Sequence, residues 1–384
     1  MNKLLTIIII LLVAGCKEKF ISPAPNVVTG YLVVEGVVNN GQEPTNIRLS
    51  RTTSLDDENI IKESGAIVKL ESSNNTSLLL YESNEGSYTL DNLQLDTSLR
   101  YRLNVTTSNN EQFLSDYVPV IYNPPIDSIN WVRENDGVQL YINTHNPNNN
   151  TRYYQWEYNE TWEFHSPFST SLKYVKGPPP DYRDIAVTYR DFTDPDIYTC
   201  WKNNSSNLIL IGSSAKLSQD IIHLPIVLIE NGAQKLSVLY SVLVTQYAWS
   251  KEGYDFLGRM KKNTESVGSV FDPQPSELNG NFHCTTNPNQ PVIGFFNICT
   301  VQKNRIFIKN EEVPNWDYNS NCRFQDMVII KNDPDSIHEQ GFGRLPTTVK
   351  TFTPFGGINT FYAGAASCVD CTLSGTNVKP IFWP

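Results

Sequence analysis

Residues 153–164, YYQWEYNETWEF, decide how this chain folds. Tyr154, Trp156, Tyr158, Trp162 and Phe164 place aromatic rings at even positions, whereas the odd positions after Tyr153 are polar. A period of two marks a strand with one buried face, so the stretch reads as one or two strands. A row of rings could be a platform for sugars or another flat ligand. Burying aromatic rings is what a one-sided strand ordinarily does, and the core reading is preferred.

The same reading extends in both directions. From residue 30 to about 121 short alternating segments are separated by turn residues. They begin at residues 31–38 (YLVVEGVV) and 46–51 and continue at 66–71, 77–82, 98–105 and 112–117, with Asn39-Asn40-Gly41 and Ser83-Asn84-Glu85-Gly86 as turns. Strands at this spacing predict an N-terminal β-sandwich, Ig-like or prealbumin-like, over 30–121. Pro124-Pro125 ends regular pairing, and a larger strand-rich domain is expected over 122–384. Within it, residues 208–211 and 236–249 read as strands, the second nearly continuous in apolar residues and hence central. One helix stands out near 250–266. Ser250 can cap it, Tyr254, Leu257 and Met260 give a stripe, Lys261 and Lys262 suit its end, and Gly268 follows. The fold class is mainly β, in two domains, since 384 residues exceed what one core usually covers.

Charge and composition limit the partners. The chain carries 30 basic and 40 acidic side chains, a net charge of −10, which argues against nucleic acid because phosphate binding needs a basic patch. Asp191, Asp194 and Asp196 invite a calcium site. Pro195 falls inside that group, however, and the glycine and closing glutamate of an EF-hand loop are missing, so a solvated acidic loop is expected.

The N-terminus has its own logic. Lys3 precedes an apolar run over residues 4–14, too short to span a bilayer but fitted to a secretory signal peptide over 1–15. Val13-Ala14-Gly15-Cys16 resembles a bacterial lipobox, in which the cysteine is lipidated after cleavage. Cys16 is therefore the expected membrane anchor, several acyl chains holding far more firmly than one. Lys17-Glu18-Lys19 partly matches the signal that sends Bacteroidota lipoproteins to the cell surface, and residues 16–29, with two prolines and no helical period, read as a lipidated tether.

Six further cysteines remain: Cys200, Cys284, Cys299, Cys322, Cys368 and Cys371. An even number in an exported chain predicts that all six are disulfide-bonded, with the connectivity left open. Cys368-Val369-Asp370-Cys371 could suggest zinc or redox chemistry. Zinc needs a second ligand pair, for which His283-Cys284 is the only neighbouring match, and a redox CxxC normally opens a helix, so structural disulfides are preferred. The five histidines form no HExxH pair, and there is no GxSxG elbow, Walker A loop or dinucleotide fingerprint. No catalytic residue, metal ligand or cofactor is assigned.

Three stretches carry a family resemblance: residues 240–247 (YSVLVTQY) leading to 269–281 (SVFDPQPSELNGN), residues 287–296 (NPNQPVIGFF), and residues 368–383 (CVDCTLSGTNVKPIFW). With the lipobox and the early LVVEG at 32–36, the chain resembles the Bacteroidota outer-membrane lipoproteins of domain of unknown function 4249. That resemblance implies a lipid-anchored outer-membrane protein, non-enzymatic and surface exposed, that assists a TonB-dependent transporter. A cell-surface hydrolase of peptide or glycan and a structural or adhesive envelope protein are the alternatives. The ligand is unassigned. The motifs themselves read as structure, with Trp383 expected to seal the C-terminus against the core.

Overall fold

The computed structural model describes residues 30–53, 59–176, 185–265, 278 and 280–384. The signal peptide, Cys16, the tether and the FDPQPS stretch at 271–276 lie outside the described residues. The chain is mainly β.

The quoted stretch is one strand, Tyr153–His165, with no break. Tyr154, Trp156, Trp162 and Phe164 are buried, so the aromatic row is core rather than platform. Along one edge this strand pairs with Leu239–Ala248, which pairs in turn with Gln302–Lys309. Along the other it pairs with Leu210–Ser213 and then Thr199–Ser205. A second sheet, in the order Ile126–Arg133, Gly137–Asn146 and Asp220–Glu230, shares its core, joining Val138, Leu140 and Ile142 to the aromatic row. Leu239–Ala248 is flanked on both sides, which explains its nearly unbroken burial.

The N-terminal unit departs from the expected boundary. Its strands alternate as read; Thr45–Arg51, for example, buries Thr45, Ile47 and Leu49 and turns Asn46 and Arg48 outward. Yet the two ends of its strand path are Phe282–Cys284, beside Gln112–Ser115, and Val292–Ile293, beside Leu32–Glu35. Phe282, Val292, Phe296 and Ile298 complete its core. The unit expected to close by residue 121 thus takes back residues 282–299 from beyond the helix. These return strands are two or three residues long, too short for any period to show in sequence.

A third, smaller unit was not anticipated. The hairpin Leu172–Lys176 and Ile185–Tyr189 packs on a sheet ordered Val328–Lys331, Ile358–Ala365, Arg344–Phe352, with Leu172, Val187, Ile330, Ile337 and Phe361 at its centre. Its helix Pro334–Gln340 starts as helices should: Asp333 accepts from the Ser336 amide, and Pro334 occupies the first turn, where its missing N–H costs nothing.

The prominent helix is Lys251–Glu265, with Ser250 Oγ accepting from the Gly253 amide at 3.1 Å as expected of a cap. It buries Gly253, Phe256 and Leu257. Of the expected stripe, Leu257 is buried and Tyr254 and Met260 pack half-buried against the same cluster, to which Phe256 adds a buried ring. Trp383 is buried at the chain end, its Nε1 donating to Glu163 Oε2 at 2.9 Å and its ring standing edge-on to Phe307.

Four of the six cysteines beyond Cys16 are paired, not all six as expected. Cys200 bonds to Cys371 and Cys322 to Cys368, whereas Cys284 and Cys299 are buried free thiols. Both free thiols sit on the short strands that return to the N-terminal core, and Cys284 Sγ accepts from the Asn287 amide at 3.4 Å. Burial pushes the Cys299 thiol up to about 12. Alkylation of the unreduced native protein should label neither; in denaturant without reductant it should label, of the six cysteines beyond Cys16, these two alone. Labelling of none, or of four, would contradict this pairing.

Candidate functional site

Where the helix Lys251–Glu265, the long sheet and the N-terminal unit meet, the chain leaves a cleft of about 370 Å³. Each part supplies one wall. The N-terminal unit contributes residues 33–37 and the Glu43 turn, the sheet contributes Gln155, Glu157 and Tyr247, and the helix contributes Phe256, Leu257 and Met260.

Local sequence explains the close approach of these walls. Gly253 has no side chain, and a Cβ there would lie 2.6 Å from Trp249 Cε3 and 3.0 Å from Phe295 Cε1. The helix can therefore lie directly against both rings. Gly294 has φ +149, and a Cβ on it would stand 2.4 Å from the Val34 carbonyl oxygen. Only glycine fits where the returning segment crosses the first strand. Asn297 Nδ2 donates to the Ala248 carbonyl at 2.9 Å, fixing this segment to the end of the central strand.

The floor is apolar and aromatic. Trp249 and Phe295 lie 6.1 Å apart by ring centroid, and Phe256 and Phe295 5.8 Å, all at tilted angles. Trp249 is 6% exposed, and its Nε1 has no hydrogen-bond partner among the described residues. The rim is charged. Arg48 approaches Glu35 at 3.9 Å, and Lys303 pairs with Glu43. Glu157, Thr245 and Lys303 are in register across three strands, yet the lysine reaches away to Glu43. Glu157 instead accepts from the Tyr247 hydroxyl at 3.1 Å, and burial beside that carboxylate pushes the Tyr247 phenol upward.

None of these residues was singled out in sequence as a site. Glu157 lies on the odd face of the opening stretch, which read only as a polar exterior. The residues that were singled out lie elsewhere. Cys368 and Cys371 take different partners, so the CxxC spacing is not a dithiol unit, and no group of three metal-binding side chains occurs among the described residues. In the acidic loop Lys173 Nζ lies 2.7 Å from Asp194 and 3.3 Å from Asp191, filling with its own charge the place a cation would take. Asp191 is held down to about 2, chiefly by the Thr193 hydroxyl and then by the Thr193 amide and Lys173.

Fold and cleft together describe a strand-built, disulfide-stapled protein with a recess of small-ligand size. The family model described as Domain of unknown function (DUF4249) matches residues 18–305, and the chain belongs to that family. The match takes in every wall of the cleft; the sheet of the third unit and the C-terminal CVDC to FW stretch fall beyond it. No curated protein matches this chain. Nothing in the matched family or in the described residues points to catalysis.

Proposed function

We propose that this protein is a non-enzymatic, lipid-anchored accessory protein of the outer membrane, exposed at the cell surface, that holds or presents a ligand to a TonB-dependent transporter. The observation that carries the binding role is the junction cleft: a recess with an aromatic floor and a charged rim, built by three parts of the chain and within the size range of small-ligand sites. The anchor rests on the lipobox at Cys16. The span from Cys16 to Gly30 can reach at most about 50 Å, enough to carry the folded part clear of the bilayer surface. The transporter as partner follows from the family resemblance.

The test is affinity purification of the tagged native protein from outer membranes in mild detergent, with mass spectrometry of what accompanies it. A TonB-dependent barrel in near-equal amount is the expected result, and recovery of the protein alone would remove the accessory role. In a Cys16→Ser strain the protein should be released or left unprocessed; unchanged lipid labelling would remove the anchor.

A further inference from the structure

Resting on the reading of the junction cleft as a binding site, we infer that its ligand is a small organic cation, an ammonium group on an aromatic or aliphatic body. The size comes first. A volume of about 370 Å³ lies near the lower end of small-ligand sites and corresponds to roughly a dozen waters. It admits a compact molecule and excludes a folded partner.

The charge comes from the rim. Two of its three carboxylates have a basic neighbour: Glu43 is paired with Lys303, and Arg48 lies 3.9 Å from Glu35. Glu157 has no basic partner among the described residues. Its Oε2 accepts from Tyr247, and its Oε1 accepts from nothing described. The cleft therefore presents one uncompensated negative charge on a wall whose neighbours are Tyr247 and Trp249. A bound anion would face three carboxylates and share the two rim cations with the carboxylates already beside them. An ammonium group would meet the open Oε1 of Glu157 directly.

The body of the ligand is set by the floor. Trp249, Phe256, Met260 and Phe295 offer rings and a thioether for apolar contact. Aromatic faces carry negative potential and attract cations, so the floor favours the same sign of charge as the rim while supplying apolar contact.

The test uses the full-length lipidated protein in detergent micelles and two probes of matched body and opposite charge, phenethylammonium and 3-phenylpropionate, followed by isothermal titration. The ammonium probe should bind, and the carboxylate at least tenfold more weakly. Glu157→Gln should cost the ammonium probe at least tenfold in affinity and leave the melting temperature unchanged, and raising salt should weaken the wild-type interaction because the rim faces water. Equal affinity for the two probes, no affinity for either, or an unaltered Glu157→Gln variant would overturn the proposal. If the barrel still co-purifies in that case, the accessory role stands and only the ligand class falls.

Discussion

Replacing Cys200 and Cys371 together by Ala is expected to lower stability by about 5 kcal/mol, measured by urea unfolding followed through tryptophan fluorescence. The bond closes a loop of 171 residues, and in the chain-entropy model the constraint on the unfolded chain grows with the logarithm of that length. The Cys322–Cys368 bond closes a loop of 46, so its removal should cost about 1 kcal/mol less. The two bridges are nested. The smaller shortens the effective outer loop by about a quarter, which the logarithm reduces to a few tenths of a kcal/mol, so the losses should nearly add. Alanine suits the test because Cys200 and Cys371 are buried in the aromatic core, where a serine hydroxyl would bring a cost of its own. A loss under about 1 kcal/mol for the outer bridge would mean that the C-terminal stretch is held by other contacts, Trp383 on Glu163 first among them.

Strand content and the sense of each strand were legible because alternation is a local property. Thr45–Arg51 and Tyr153–His165 each show their buried face within a few residues. What was illegible is what joins distant parts. Phe282–Cys284 and Val292–Ile293 are too short to carry a period, and their place is set by cores formed some 170 and 260 residues earlier. In the third unit, the register of Arg344–Phe352 against Ile358–Ala365 shifts three times, which erases the alternation that would have announced a strand. Cysteine parity failed for a related reason: an even count allows full pairing but does not bring Cys284 and Cys299 to any sulfur. The cleft was hidden because its walls come from separated segments, and the residue that gives it charge, Glu157, looks in sequence like any solvent-facing position of a strand.

The aromatic row itself contains the other large expected effect. It is interrupted at position 160, where a glutamate stands among rings. The strand does not break there. Glu160 is 1% exposed and accepts from Lys235 Nζ at 2.6 and 2.7 Å, from the Tyr240 hydroxyl at 2.8 Å and from Asn204 Nδ2 at 2.9 Å. Lys235 lies over the Trp162 ring at 5.4 Å with its stem against the core and is 26% exposed. Lys235→Met keeps the stem and removes the charge, leaving a buried carboxylate with neutral donors only. The expected cost is about 3–5 kcal/mol, because a single charge stranded in a core is far less stable than a matched pair. Glu160→Gln strands the opposite partner, but Lys235 can turn its ammonium toward water, so about 1–2 kcal/mol is expected. The double variant should cost less than the two losses added together, since its second change removes the charge that the first left unpaired. Strict additivity in this double-mutant cycle would show that Lys235 and Glu160 do not act as a pair, and that Tyr240 and Asn204 alone suffice to hold a carboxylate in the aromatic core.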